Sequence, residues 1–171
     1  MAQESIEVGV VVERRRLQSP WAEFAWYPVA VLPGLPETAA WTILEETPQL
    51  QRYYAGAFTL EFHRSDTATY RDNLQSGRPS LWVSLREAES APGVVLKNVT
   101  ADPAEGEALT EPGTDIIEAV PMPAEIQGRL AVFVEQHHVE RAFFKRKRDR
   151  ADPEALGSRR KRGPRDEPEG T

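Results

Sequence analysis

Arg52-Tyr53-Tyr54-Ala55-Gly56-Ala57-Phe58-Thr59-Leu60-Glu61-Phe62-His63 is the stretch that decides the fold. Apolar and polar side chains alternate along it with the period of a half-buried strand. On a regular pleat Tyr54, Phe58, Leu60 and Phe62 face one way. Tyr53, Ala57, Thr59, Glu61 and His63 face the other, and Gly56 interrupts the first set. The same period recurs on both sides of this segment. Upstream, Ile6, Val8, Val10 and Val12 predict a strand over Ile6–Glu13 that Arg14-Arg15-Arg16 ends. Gly9, on its opposite face, marks a close neighbour or a bulge.

A second strand is expected over Ala25–Leu32, stopping at Pro33-Gly34. Pro28 inside it cannot donate to a ladder, which places this strand at an edge or beside a bulge. Short strands follow at Trp41–Leu44, Ser80–Arg86, Val94–Thr100 and Asp115–Val120. Leu81, Val83 and Leu85 share one face of the Ser80–Arg86 strand, and Trp82 takes the other. Asp66–Leu74 and Ala101–Leu109 fit short helices, the second opened by Asp102-Pro103. In Ala124–His138, Ile126, Leu130, Phe133, Val134 and His137 lie on one helix face. Strands in series followed by a helix predict an α+β domain. Its expected form is a curved antiparallel sheet or small barrel with a long C-terminal helix.

Charge changes sign near residue 145. Residues 1–144 carry net −10 and residues 145–171 net +4, together the −6 of the 171-residue chain. After Arg150 the chain is mostly Pro, Gly, Arg and Glu, a composition that cannot bury enough apolar area to offset its ordering entropy. The expected organisation is one α+β domain over residues 1–148 and a disordered basic tail over 149–171. The chain has no cysteine, which removes disulfides, thiolate metal sites and cysteine nucleophiles. No signal peptide and no apolar run of roughly 20 residues is visible. A cytoplasmic protein that does not enter membranes is therefore expected.

Catalytic chemistry finds no support in the residues. There is no nucleophile elbow, no glycine-rich phosphate loop and no Walker lysine. Glu45-Glu46 reads as a solvated acidic pair. His137 and His138 are helix neighbours whose side chains diverge by about 100°, a poor start for chelation. His63 adds a third nitrogen only if its strand meets that helix end. The expectation is a half-buried His137, an exposed His138, no metal and no cofactor. Most of Trp21, Phe24, Trp26, Tyr27, Trp41, Tyr53 and Tyr54 are expected in the core. Contact residues for a protein partner are sought in Trp82, His137, His138, Phe143, Phe144, Lys145, Arg146, Lys147 and Arg148. The acidic domain disfavours nucleic acid as that partner.

The blocks IEVGVVVERR, SPWAEFAWYPVAVLPG, WTILEE, RYYAGAFTLEFHRSDTATYRDNL, PSLWVSLR, VTADPAEGEAL, DIIEAVPMPAEI and FVEQHHVERAFFKRKR cover about residues 6–148. Together they resemble an uncharacterised family of small bacterial proteins encoded near molybdenum-dependent formate dehydrogenase genes. Members are often labelled molybdopterin-guanine dinucleotide biosynthesis protein A. A guanylyltransferase of that name opens with a glycine-rich nucleotide loop after its first strand. Here that strand ends in Glu13-Arg14-Arg15-Arg16-Leu17, without such a loop. The resemblance therefore implies a non-catalytic accessory protein in maturation or assembly of a formate dehydrogenase. The partner it implies is a subunit or maturation factor of that enzyme. The alternative it leaves is a molybdopterin or guanine-nucleotide binding protein, with Arg14–Arg16 as the contact.

Overall fold

An extra residue at Ala55 changes which side chains of the central strand reach the core. In the computed structural model, which describes residues 4–111 and 113–140, Val10 pairs with Gly56 and Val11 with Tyr54. Ala55 is thus a β-bulge, and a bulge reverses the facing of everything beyond it. Leu60 and Phe62 point inward as expected, but so do Tyr53 and Ala55. Tyr54 is buried too, on the opposite face. The expected pairing of Tyr54 with Leu60 on one face is therefore corrected. Gly56 accommodates the kink with φ of 119°, a conformation closed to most side chains.

Four strands make the first sheet: β1 (Glu4–Arg16), β2 (Phe24–Leu32), β3 (Thr42–Glu46) and β4 (Leu50–Phe62). Their order is β2-β1-β4-β3, all antiparallel. Three more make the second: β5 (Ser80–Glu87), β6 (Val94–Thr100) and β7 (Asp115–Pro121), in the order β6-β5-β7. The fold is α+β, with two sheets and neither of them closed, rather than one curved sheet or a barrel. β2 lies near β7 and β4 near β6, so the sheets share one core. Pro28 sits on the edge strand β2, next to a bulge at Val29, both places where a missing N–H is tolerated.

The link from β2 to β3 joins opposite edges of the first sheet, so it must cross a face. It does so over positions without side chains. A methyl on Gly9 would stand 2.8 Å from Tyr54 Cε2 and 3.3 Å from the Gly34 carbonyl oxygen. A methyl on Gly56 would stand 3.1 Å from Ala40 Cβ. The crossing ends at Trp41, whose φ of 65° is unusual for a bulky residue. Its ring packs edge-on against Trp26 and Tyr53, at 6.0 and 6.1 Å, which holds it there.

Helices α1 (Thr67–Gln75) and α3 (Ala124–His137) cover the core. Ile126, Leu130, Phe133 and Val134 are the buried stripe of α3. Phe133 meets Phe62 and Tyr70, and these three rings lie 5.5 to 6.3 Å apart. Buried Asn73 joins α1 to one end of the second sheet, where β5 starts and β6 stops. Its amide donates to the Ser80 and Ala101 carbonyls and its oxygen accepts from the Ser80 N–H. α2 (Pro103–Thr110) starts as its sequence suggests, with the Asp102 carboxylate accepting from the Ala104 N–H. It lies across Trp82, and Gly106 is the point of closest approach. The expected domain end at 148 and the tail 149–171 lie outside the described residues. No described helix is long and apolar enough to cross a membrane.

Two glycines give stability tests of opposite sign. A methyl at Gly106 would lie 2.5 Å from Trp82 Cδ1, near the rigid root of the indole. Gly106→Ala is expected to destabilise by about 1–3 kcal/mol, the usual range for overpacking. Exposed Gly128 in α3 has open space around it. Gly128→Ala is expected to stabilise by about 0.5–1 kcal/mol, since alanine restricts the unfolded chain and favours helix. Urea denaturation of both variants checks the two signs.

Candidate functional site

β1 has no bulge of its own, so its inner face continues by twos past the core. After Ile6, Val8, Val10 and Val12 the next two inward positions are Arg14 and Arg16. The first sheet thus ends in two arginines where its core stripe runs out. Across the ladder Arg14 pairs with Trp26 and Gln51, and Arg16 with Phe24. The Arg14 guanidinium stacks on the Phe24 ring, with Cζ 4.1 Å from the ring centroid and 5.9 Å from that of Trp26. Such stacking suits the weakly hydrated, planar guanidinium.

Arg14, Arg16, Phe24 and Gln51 line a cleft of about 250 Å³, with Glu46 and the β3–β4 turn as its far wall. That turn is internally bonded. The Thr47 hydroxyl accepts from the N–H groups of Gln49 and Leu50, at 3.3 and 3.1 Å. Gln51 is fixed as well, since its side-chain oxygen accepts the Tyr53 hydroxyl proton at 2.8 Å. Arg14 Nε is buried with no hydrogen-bond acceptor. An unmet buried donor costs about 1–3 kcal/mol, and this is the one buried side-chain nitrogen or oxygen without a partner among the described residues.

The outer face of the same end carries the opposite arrangement. Glu13 is 6% exposed and lies between Arg15 and Arg52, at 2.8 and 2.7 Å. Arg52 also holds Glu45, and Arg15 stacks over Tyr27 at 4.3 Å. Burial pushes the Glu13 pKa up. Hydrogen bonds from Arg52 and Arg15, and their charges, outweigh it and hold the carboxyl below its ordinary value of 4.5. These arginines are committed. Arg16 has an exposed contact with Glu23 at 3.6 Å, a weak kind of pair, and lies 5.9 Å from the Phe24 ring centroid.

A second surface lies at the free edge of β3, which has no hydrogen-bonded neighbour beyond β4 among the described residues. All five of its residues are exposed, with Ile43 at 45% and Leu44 at 51%. Leu44 is a bulge, opposite the step from Tyr53 to Arg52. Trp21, expected in the core with the other aromatics, is 92% exposed in the β1–β2 link.

The contact residues expected from sequence fall elsewhere. Trp82 is half-buried beneath α2. His137 is half-buried as expected, its ring 4.6 Å from Phe133. His138 is half-buried and not exposed, because it bridges α3 to α1. A guanidinium only donates, so Nε2 accepts from Arg71 at 3.1 Å and the ring proton sits on Nδ1, facing the Thr67 hydroxyl oxygen at 3.1 Å. Phe143, Phe144, Lys145, Arg146, Lys147 and Arg148 lie outside the described residues. No cluster of three metal-ligating side chains occurs among the described residues. His63 keeps company with Glu61 at 3.7 Å, beside β6.

The chain belongs to the family described as a protein of unknown function, DUF3305, whose model matches residues 7–148. A comparison with curated proteins gives no match, and neither does one with solved structures.

The Glu13 network predicts a pH response. A carboxyl whose pKa is lowered by folding contributes stability above its unfolded pKa and loses it as pH falls through the folded one. Glu13→Gln is expected to destabilise by about 1–3 kcal/mol at pH 7. The gap between variant and parent should close progressively below about pH 4.5. Denaturant midpoints measured across that range check it.

Proposed function

We propose that this protein is a non-catalytic accessory protein that acts by docking to another protein through the β3 edge. The observation that carries docking is the exposure of Ile43 and Leu44 on a strand with an unpaired outer side. Large apolar side chains on an edge strand suit strand addition by a partner. The bulge at Leu44 and the charges of Glu45 and Glu46 keep such an edge from pairing indiscriminately. The partner is a subunit or maturation factor of a molybdenum-dependent formate dehydrogenase. The resemblance of the sequence blocks across residues 6–148 supports that identity.

A second reading is a molybdopterin or guanine-nucleotide binding protein. Arg14, without a carboxylate at ion-pair distance among the described residues, favours it, while Glu23 and Glu46 beside the same cleft weigh against a polyphosphate. Calorimetry with guanosine triphosphate and with molybdopterin decides this reading: a saturable heat with one of them supports it, and no heat with either removes it.

Docking is tested by isolating the tagged full-length protein from cells making active formate dehydrogenase. Mass spectrometry should find a subunit or maturation factor of that enzyme with the parent chain. The double variant Ile43→Lys, Leu44→Glu should recover at least about tenfold less, as loss of an interface anchor would. Both positions are exposed, so the fold should persist in the variant. Parent protein that recovers no such factor would overturn the proposed partner. Equal recovery by the variant would overturn the docking edge.

A further inference from the structure

Four arginines cluster at the end of the first sheet, and one of them lacks an acid. Arg15 and Arg52 hold Glu13, and Arg16 reaches Glu23. Arg14 has no carboxylate within ion-pair distance among the described residues. Its charge is left facing a cleft. An arginine whose role was purely structural would be expected to have its donors met, as Arg52 does through Glu13 and Glu45.

We infer that the cleft between Arg14, Arg16 and the β3–β4 turn is a binding site for a carboxylate. The Phe24 ring fixes the plane of the Arg14 guanidinium and shields one of its faces from water. A pre-oriented fork loses little freedom when it grips two oxygens lying in one plane. A carboxylate offers that pair. Gln51, held in place by Tyr53, adds an amide at the cleft wall. The volume of about 250 Å³ suits the acidic end of a molecule rather than a whole large cofactor.

Charge narrows the ligand further. Glu46 stands on the opposite wall and Glu23 sits beside Arg16. Residues 1–144 of the sequence carry net −10. With these two acids beside the two cations, one negative charge is favoured over the nearly two of a phosphate monoester. The carboxylate belongs either to a small free acid or to the C-terminus or acidic side chain of a protein. The site is independent of the β3 docking reading, and either can fail alone.

The test uses the full-length protein labelled with ¹⁵N. The Arg14 Nε–Hε resonance is assigned by its loss in Arg14→Lys. Sodium acetate is titrated against sodium chloride at equal ionic strength. Acetate should shift that resonance and the backbone amides of Gln49–Gln51 saturably, and chloride should not. Arg14→Lys keeps the charge and loses the fork, so it should weaken the amide response by roughly tenfold. If that variant fails to fold, the parent titration decides. Inorganic phosphate should bind more weakly than acetate. Acetate behaving like chloride would overturn the site, and tighter binding of phosphate would overturn its assignment to a carboxylate. Two further arms separate the sources. Succinate binding more tightly than acetate supports a small acid. A short peptide displacing acetate when its C-terminus is free, and failing when amidated, supports a protein ligand.

Discussion

The bulge at Ala55 sets where the side chains at one end of the first sheet point. Without it Tyr54 would lie with Leu60 and Phe62, and Tyr53 would face outward. With it, Tyr53 joins Trp26 and Trp41 in an aromatic cluster with rings about 6 Å apart. Tyr54 turns outward and fills the space next to Gly9, under the chain that crosses from β2 to β3. That crossing could not lie so close if Gly9 and Gly56 bore side chains. One inserted residue therefore decides the inner cluster, the outer covering and the route of the connection together.

The aromatic cluster in turn explains the arginine end. A core stripe on β1 that reached solvent directly would leave Trp26 and Phe24 edges bare. Arg14 closes that end with a planar cation whose stem packs and whose head stacks. The outer face solves the same problem differently, with Glu13 shared between two arginines. The two faces of one strand end thus differ in kind. One is a neutralised network that holds strands together, and the other is a stacked cation left open to a cleft.

Much of this was legible in the sequence. β1, β4, β5 and α3 each show their own period, and Gly9, Pro28 and Asp102-Pro103 each announce a local constraint that the structure obeys. The α3 stripe follows from 3.6-residue spacing alone. What escaped has physical reasons. A bulge inserts one residue without altering composition, so Gly56 was its only trace. Dividing the strands between two sheets depends on long-range pairing, which period does not encode. Trp21 looked like core by residue type, yet it stands exposed in the β1–β2 link among the described residues. His138 looked exposed because its partners Thr67 and Arg71 lie some seventy residues away. The pairing between Arg14 and Phe24 had a signal in the Arg14–Arg16 run, but which arginine was open depended on the facing of β1.

The proposed function rests on a short strand whose outer side is free. Its position at the sheet edge follows from the strand order β2-β1-β4-β3, which leaves its outer side without a neighbouring strand among the described residues. Hydrogen exchange of the full-length protein, alone and in complex with the partner it co-purifies with, tests this most directly. The account predicts strong new protection of the amides in Thr42–Glu46 on binding. Protection confined to other segments, with β3 exchanging as in the free protein, would contradict it.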